Sequence, residues 1–424
     1  MPESLNVVVV TQRFPPEKGG NASRISDMSV NLVDSETSVT VLAPTPCYPP
    51  GNFEWSWTRS SEEFVDGVRV VRLWTYQPRQ ENPALARRLL YYLVFALHSL
   101  LWLLLNIRSF DIVLTSTPPI TTGIPGAAAS VFGKSVFVDV RDRWIDNSVS
   151  LGYIDEDSIL VKISRWFQWF VLHTADRILV MTPTLGAALV ESYGTQLKGK
   201  LRQVPNGADI DSFAPQESSP STGDSEDSGP VLVYTGNLGS AQALEPCIRA
   251  MTHVSRDDAV LRLVGDGDAK SQLEALVEEL GISDRVEFVG LVDREEIPDI
   301  LNHAEVGLAP LRETDELRYA VPTKLYEYLA CGLPVLVTGR GEIERFVRES
   351  GGGIHTEAEP EAIAAALDGL LEDDERRSQM GLEGRQYVSD RYDRKRIAGR
   401  LREELHQFEN SSRGRAGQDS PSES

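Results

Sequence analysis

Short runs of apolar, β-branched residues alternate with helix-like stretches along nearly all of the 424 residues. Several runs are apolar at every position, which is typical of parallel strands that are covered on both faces. Such runs separated by helices predict doubly wound α/β domains. The predicted strands are Asn6–Thr11, Ser38–Ala43, Val68–Leu73, Asp111–Thr115, Ser135–Val140, Arg177–Thr182, Val231–Thr235, Val260–Val264, Val286–Val289, Val306–Ala309 and Pro334–Thr338.

One polar segment divides these strands into two sets. Residues 216–229 are rich in Ser, Asp, Glu, Gly and Pro, so they cannot bury enough surface to offset the entropy lost on ordering. We therefore predict an N-terminal domain over residues 1–215, an acidic linker over 216–229 and a C-terminal domain with terminal helices over 230–409. The polar residues 410–424 are predicted to form a disordered tail.

The charge balance and the cysteines exclude two classes of protein. The chain has 63 Asp and Glu against 42 Lys and Arg, a net charge of −21, whereas general nucleic-acid binding needs a basic surface. This lysine-poor, acidic composition favours a halophilic protein from a salt-rich cytoplasm, although an ordinary acidic protein shares it. Cys47, Cys247 and Cys331 offer neither a disulfide framework nor a metal site. Because the first residues lead into a strand without a secretion signal, we expect an intracellular protein.

A long apolar stretch stands out in the N-terminal domain. Residues 89–105 are almost entirely apolar, with Arg87 and Arg88 before them and Arg108 after them. Three interpretations stay open: a helix docked in the membrane interface, a buried core helix, or a spanning helix, for which the stretch is slightly short. The aromatic segment Trp166–Val171 could lie at the same interface or pack inside the protein.

The segment 321–335 carries the most specific chemistry. Pro322 and Thr323 predict the start of a short helix, and Lys324 and Glu327 share one face of it. A helix N-terminus with a cation beside it suits a phosphate, and a carboxylate one turn further can accept hydrogen bonds from sugar hydroxyls. The segment therefore predicts a nucleotide-sugar site, although an ordinary helix with a surface ion pair has the same spacing.

Other candidate motifs are weaker. Gly19 and Gly20 follow the first predicted strand and would let the backbone approach a diphosphate, although a simple turn has the same residues. The full G-x-G-x-x-G pattern is absent, which argues against a dinucleotide dehydrogenase. Gly133-Lys-Ser135 leads into a strand rather than a helix, so it is not a P-loop. Asp-x-Asp triplets are expected by chance in so acidic a chain, and no metal site is predicted.

Several segments, taken in order, resemble the retaining glycosyltransferases of family 4. They extend from residue 6 to about residue 392, nearly the whole chain. The matching segments are Gly19-Gly20, Pro205–Phe213, Leu263–Gly267, Asp284–Gly290, Val306–Pro310, Lys324 with Glu327, and Gly332–Val335. The resemblance implies the GT-B fold, in which two facing Rossmann-like, doubly wound parallel-sheet domains enclose an interdomain cleft.

The chain departs from the family where phosphate is usually bound. In the segment 236–242, Asn237 and Gln242 stand where the family often has Arg and Lys. The resemblance implies that Lys324 supplies the lost cationic contact.

A second departure concerns the paired glutamates of the family. Tyr319 stands eight residues before Glu327, where the first, sugar-contacting Glu is usual. With the segment Asp139–Trp144, these departures are similar to the branch that contains bacterial N-acetylfucosamine transferases of surface-polysaccharide synthesis. The usual contact to the sugar is therefore missing or displaced.

The resemblance implies a hexosyltransferase-type enzyme that takes its sugar from a nucleotide-diphosphate sugar, with retention and without a cofactor or metal. The implied catalytic residues are Lys324, Glu327 and Asp142, and the implied donor-binding residues are Gly19, Gly20, Gly236, Asn237, Gln242, Gly290, Leu291 and Thr323. Asp142 would orient the acceptor or the sugar, unless Arg141 or Arg143 simply pairs with it. The apolar helix suggests a lipid-linked saccharide acceptor and contact with the inner face of the cell membrane.

Two other functions stay open. A nucleotide-sugar 2-epimerase shares the fold but needs acid and base side chains around the sugar, and no cluster of His and carboxylates compels it. A non-catalytic subunit of a glycan-assembly complex would fit the missing phosphate clamp.

Overall fold

A computed structural model describes residues 4–17, 19–47, 53–78, 84–150, 152, 154–216 and 229–418. The chain forms two compact units. The first comprises the described residues of Met1–Pro205 and Lys395–Ser424, and the second comprises those of Asn206–Arg394.

The first unit is built on an eight-stranded sheet. Its strands are β1 (Leu5–Val10), β2 (Thr37–Pro44), β3 (Ser60–Val65), β4 (Val68–Leu73), β5 (Ile112–Thr117), β6 (Ser135–Val140), β7 (Arg177–Val180) and β8 (Leu201–Gln203). They lie in the order β3-β4-β2-β1-β5-β6-β7-β8. All neighbours are parallel except β3 and β4, which form an antiparallel pair at the edge.

Helices cover both faces of this sheet. The first six are α1 (Gly20–Leu32), α2 (Leu85–Leu105), α3 (Gly123–Val131), α4 (Trp144–Ser150), α5 (Ile159–Thr174) and α6 (Pro183–Tyr193). Successive side chains of a strand point to opposite faces, so Val7 and Val9 pack with α1 on one face. Val8 and Val10 pack with α2 and α3 on the other.

The second unit has a six-stranded, fully parallel sheet. Its strands are β9 (Val231–Thr235), β10 (Val260–Val264), β11 (Val286–Gly290), β12 (Val306–Ala309), β13 (Val335–Val337) and β14 (Gly353–His355). Their order is β11-β10-β9-β12-β13-β14. The helices are α7 (Leu244–Ala250), α8 (Lys270–Leu280), α9 (Ile297–Asn302), α10 (Thr323–Ala330), α11 (Glu342–Ser350), α12 (Pro360–Leu371) and α13 (Asp374–Arg391). The last helix of the chain is α14 (Arg394–Gln418).

Each predicted strand is present, with ends that lie at most two residues from the prediction. Three strands escaped prediction, namely β3, β8 and β14. The edge strand β3 has the mostly polar sequence SSEEFV and is exposed along most of its length, so it lacks the apolar signal of the buried strands. The strands β8 and β14 are only three residues long and also lie at sheet edges.

The last helix corrects the predicted organisation. Ile397, Leu401 and Leu405 of α14 are buried in the core of the first unit, whereas the prediction placed residues up to 409 in the C-terminal domain. The predicted disorder of residues 410–424 is wrong as far as Gln418, because α14 extends to that residue. Residues 419–424 and most of the predicted linker, 217–228, lie outside the described residues.

Candidate functional site

Three glycine turns meet at the carboxyl edge of the second sheet. Gly236, Gly265 and Gly290 follow or end the adjacent strands β9, β10 and β11, and all have positive φ angles. The amide of Gly265 donates to the carbonyl of Gly290 at 2.8 Å. A Cβ on Gly265 would overlap the carbonyl oxygen of Gly236. The edge is therefore closely packed backbone, of the kind that can approach a ligand.

Helix α10 presents its N-terminus to the same edge, because a helix between parallel strands runs against their direction. Pro322 precedes the helix with extended backbone, and no side chain caps the first turn. In the second turn of α10, the hydroxyl of Tyr328 accepts a hydrogen bond from the backbone amide of Thr235 at 2.6 Å, which holds α10 against β9. The uncapped first turn, with Thr323 as its first residue, leaves backbone N–H groups available to an anion.

Lys324 lies over an aromatic ring at this edge. Its Nζ is 3.4 Å from the ring centroid of Tyr234 and 3.5 Å from Oε1 of Gln242. A Cβ added to Gly236 would lie 3.2 Å from the same Nζ. Burial holds the pKa of Lys324 well below its usual value, and the negative charge of Glu327 only partly opposes this shift. The ammonium group is thus poorly solvated, and a bound anion would stabilise its charged form.

Glu327 is 7% exposed on the buried side of α10. Its Oε1 lies 3.2 Å from Nη1 of Arg294 and 3.7 Å from Nη2 of Arg394, but it accepts no hydrogen bond. Burial raises the pKa of Glu327, while the nearby Arg294 partly offsets the rise. The alternative of an ordinary surface ion pair with Lys324 is therefore wrong, because Glu327 is buried and pairs with arginines instead.

The other predicted donor residues of the second unit lie at the same edge. Asn237 accepts the hydroxyl of Tyr234 at 2.6 Å through its backbone carbonyl. Leu291, directly after Gly290, is 46% exposed. An exposed apolar side chain beside a glycine turn can make apolar contact with a planar ring.

Gly19 and Gly20 lie in the first unit, at the start of α1. Gly19 has a φ of 133°, which disfavours other residues, and a Cβ there would meet nothing within 4 Å. Neither a side-chain cap nor an acidic residue occupies the first turn of α1. The start of α1 is thus a second exposed helix N-terminus.

Asp142 follows β6 at the carboxyl edge of the first sheet. Burial raises its pKa to about 6, and the positive charge of Arg141 only partly opposes the shift. Its Oδ1 has no hydrogen-bond partner. Arg143 forms an ion pair with Asp146 at 2.8 Å, and Arg141 donates to the backbone carbonyls of Thr117 and Pro118 while its charge still acts on Asp142.

Two further side chains at this edge have unused polar atoms. Gln12, just after β1, is 2% exposed, and neither its Oε1 nor its Nε2 has a partner. Nη1 of Arg141 is also unpartnered. Since β1 and β6 both flank β5, these groups follow nearby strands at one edge. Buried polar groups are normally paired, so this cluster, which we call the open polar edge (Gln12, Arg141 and Asp142), is suited to a polar ligand.

Sequence reasoning missed Gln12, Tyr234 and Arg294. A signal existed only for Gln12, a polar residue directly after an apolar strand. Among the described residues, no group of three His, Cys, Asp or Glu could hold a metal ion.

Two family models match successive parts of the chain. Residues 19–207 match the glycosyl transferase 4-like domain, and residues 216–387 match the glycosyl transferases group 1. The chain belongs to the family 4-type glycosyltransferases. It is similar to the putative colanic acid biosynthesis glycosyl transferase WcaI of Escherichia coli K12, with 23% identity over 86% of this chain and 91% of that protein.

Solved structures show that this glycosyltransferase has the GT-B fold, as predicted. Sucrose-phosphate synthase from Thermosynechococcus elongatus superimposes with a TM-score of 0.79 and 18% identity, covering 96% of this chain and 100% of that chain. Anabaena HepE in complex with UDP and glucose superimposes with a TM-score of 0.69 and 16% identity, covering 95% of this chain and 99% of that chain.

Proposed function

We propose that this glycosyltransferase transfers a hexose-type sugar from a nucleotide-diphosphate sugar to a lipid-linked saccharide, with retention of anomeric configuration, in surface-polysaccharide synthesis. The relatives support this proposal, because WcaI is named for colanic acid biosynthesis and HepE binds UDP and glucose. The proposed location is the cytoplasmic face of the cell membrane, and the proposed reaction needs no cofactor. The observation that carries the proposal is the poorly solvated ammonium of Lys324 beside the uncapped start of α10.

Lys324 would bind the diphosphate of the donor. When the bond from sugar to phosphate breaks, negative charge grows on the leaving diphosphate. An ammonium group that is already desolvated stabilises that charge without displacing water at the moment of reaction. Gln242, which lies beside Lys324 where the family often has a lysine, is neutral and leaves Lys324 as the cation at this position. Gly236 permits the close approach of the lysine to the backbone.

The nucleoside would lie along the same edge. Glu327 has a buried carboxylate oxygen without a hydrogen bond, so it can accept hydrogen bonds from the ribose hydroxyls. Arg294 holds this carboxylate in place at 3.2 Å. The exposed turn from Val289 to Leu291 would contact the base.

The acceptor would bind at the open polar edge of the first unit. An acceptor hydroxyl can donate to Oδ1 of Asp142 and accept from Nε2 of Gln12, both of which are unpartnered. In front-side attack, an oxygen of the leaving phosphate takes the proton of the acceptor, so Asp142 orients the hydroxyl without having to act as a base.

A thermal-shift series with UDP-, GDP- and ADP-sugars tests the donor site, because a ligand that binds the native state raises the unfolding temperature. We expect one of these donors to stabilise the wild type, and Lys324→Met to abolish that shift. The matched control is Lys270→Met on α8, a lysine that pairs at the surface with Glu274. If Lys324→Met responds to the donor as the control does, the phosphate assignment is wrong.

Incubation with the donor alone separates transfer from the two other functions. We expect no change in the sugar until an acceptor is added, and nuclear magnetic resonance of the product should then show the anomeric configuration of the donor. A sugar epimerised without an acceptor would support the 2-epimerase, and tight donor binding without turnover would support the non-catalytic subunit.

A further inference from the structure

Helices α2, α3 and α5 cover one face of the first sheet, and α3 packs against both of the others. A Cβ on Gly123 of α3 would touch Val171 of α5, and one on Gly126 would touch Thr115 and Val136 of the sheet. The glycines therefore let α3 sit deep between its two neighbours. We call the outer surface of these three helices the three-helix face.

The outer side of α2 is a continuous apolar stripe. Leu90, Leu93, Leu97 and Leu101 are 43–58% exposed and follow one another at helical spacing. The opposite side of the same helix packs in the core, where Phe95 and Leu103 are fully buried against the sheet. The helix Ala86–Leu105 is long and apolar enough to span a membrane, and 28% of it is buried.

Helix α5 repeats this arrangement with aromatic residues. Ile159, Ile163, Trp166 and Phe170 are 36–67% exposed on one side of it. Between the two stripes, Val131 and Phe132 at the end of α3 are 81% and 58% exposed. An exposed apolar surface of this extent marks a site of interaction.

The charge of the three-helix face is opposite to that of the chain. Helices α2, α3 and α5 contain no Asp or Glu, although the chain has 63 of them. Arg87 and Arg88 begin α2, Arg108 follows it, and Lys162 is exposed on α5. The absence of acids from three surface helices of so acidic a protein indicates a partner that is apolar at its centre and anionic at its rim.

We propose that the three-helix face docks flat on an anionic lipid bilayer, with the apolar stripes among the acyl chains and the basic residues at the headgroup phosphates. Tryptophan at such a surface, as at Trp166 and Trp169, is typical of the interface. A spanning α2 is excluded, because leaving the sheet would expose the core that Phe95 and Leu103 complete. A second copy is a poor occupant, because a two-fold interface would bring the basic residues of both copies together.

Flotation with lipid vesicles tests this proposal. It deepens the membrane contact proposed above but needs neither donor nor acceptor, so its failure is distinct from failure of the transfer reaction. We expect the wild type to float with vesicles of phosphatidylcholine that contain about 30 mol% phosphatidylglycerol. The double variant Leu97→Glu, Trp166→Glu should lower the lipid-bound fraction at least about tenfold.

Two controls make the outcome specific. Leu382→Glu changes a leucine of α13 that is 68% exposed in the second unit, and it should float like the wild type. Arg88→Glu with Lys162→Glu should remove the preference for anionic over neutral vesicles, as should about 1 M salt, while the apolar contribution persists. Unchanged circular dichroism of each variant verifies its fold.

Two results would overturn the proposal. One is a wild type that stays in solution with both kinds of vesicle at low salt. The other is a wild-type dimer that Leu97→Glu converts to a monomer, which would make the three-helix face an interface between two copies.

Discussion

The two sheets end in edges of different character. In the second unit, a ring or an opposite charge holds each ionisable group of the edge: Lys324 lies over Tyr234, and Glu327 lies beside Arg294, although Oε1 of Glu327 still accepts no hydrogen bond. In the first unit, Gln12 and Asp142 keep buried polar atoms without any partner. A pre-arranged edge suits the part of a substrate that is always the same, which in the proposed reaction is the nucleoside diphosphate. An edge with unused hydrogen-bonding groups suits the acceptor, whose hydroxyls complete it.

The largest effect on turnover should come from a substitution at the carboxyl edge of the second sheet. Lys324→Met should lower turnover about 10²–10³-fold, as expected when a group that stabilises transition-state charge is removed. Initial rates with a donor and an extracted lipid-linked acceptor measure this effect. Lys270→Met should retain wild-type turnover. Comparable rates in the two variants would show that the second edge has no special role in the chemistry.

Asp142→Asn should lower turnover about 10²-fold, because a misplaced acceptor hydroxyl reacts more slowly, while the donor-induced thermal shift stays unchanged. Only the carboxylate form of Asp142 can accept a hydrogen bond from the hydroxyl of the glycan acceptor, and burial raises the pKa of Asp142 to about 6. Activity of the wild type should therefore be present above this pH and fall as the pH drops through it.

The pH–rate profile separates this role from a structural one. Asp142→Asn should lose the decline near pH 6, whereas Asp157→Asn, a change at an exposed carboxylate of the same unit, should keep it. A profile that is identical in the wild type and in Asp142→Asn would remove Asp142 from the acceptor site.

Glu327→Gln should weaken binding of a ribonucleoside diphosphate about tenfold, because a hydrogen bond to the charged carboxylate contributes roughly 1.5–3 kcal/mol and one to the neutral amide roughly 0.5–1.5 kcal/mol. Calorimetry with matched ribo- and 2′,3′-dideoxynucleoside diphosphates isolates the contact. The wild type should prefer the ribonucleotide and the variant should not. Glu344→Gln, which changes a surface partner of Arg348, provides the control. An equal preference in the wild type and in Glu327→Gln would refute the ribose contact.

The smallest expected effect is a difference in the free energy of unfolding between variants of two buried glutamines of the first unit, Gln12 and Gln77. Gln12→Leu should change the free energy of unfolding by less than about 1 kcal/mol, because the amide has no partners to lose. Gln77→Leu should cost about 1–3 kcal/mol, since that amide donates to and accepts from the backbone of Ser56. Urea denaturation measures both changes. An equally large loss in Gln12→Leu would mean that Gln12 stabilises the fold rather than awaiting a ligand.

Apolar runs were sufficient to predict both sheets, because a parallel strand buried on two faces has few polar residues. The edge strand β3 escaped because it is polar and exposed. The end of α14 was mistaken for a disordered tail for a similar reason. Residues 410–418 carry no large apolar side chain that could mark a buried helix face, and the core residues Leu401 and Leu405 lie before them.

Part of the candidate site could be predicted from one segment, since Lys324 and Glu327 lie on the same short helix. The residues that contact them could not be predicted in this way. Tyr234 and Arg294 come from β9 and from the turn after β11, and only the fold brings them to α10. The open polar edge was equally hidden, because the absence of a partner for Gln12 is a property of three dimensions rather than of sequence.

The return of α14 to the first unit has a consequence for the whole polypeptide. Since both ends of the chain belong to one unit, the second unit is inserted within the first, between Pro205 and Lys395. Trimming the carboxyl terminus would therefore damage the core of the first unit and spare the core of the second. Conversely, the inserted stretch has cores of its own, so it can be excised whole and expressed by itself to test whether it binds the proposed donor.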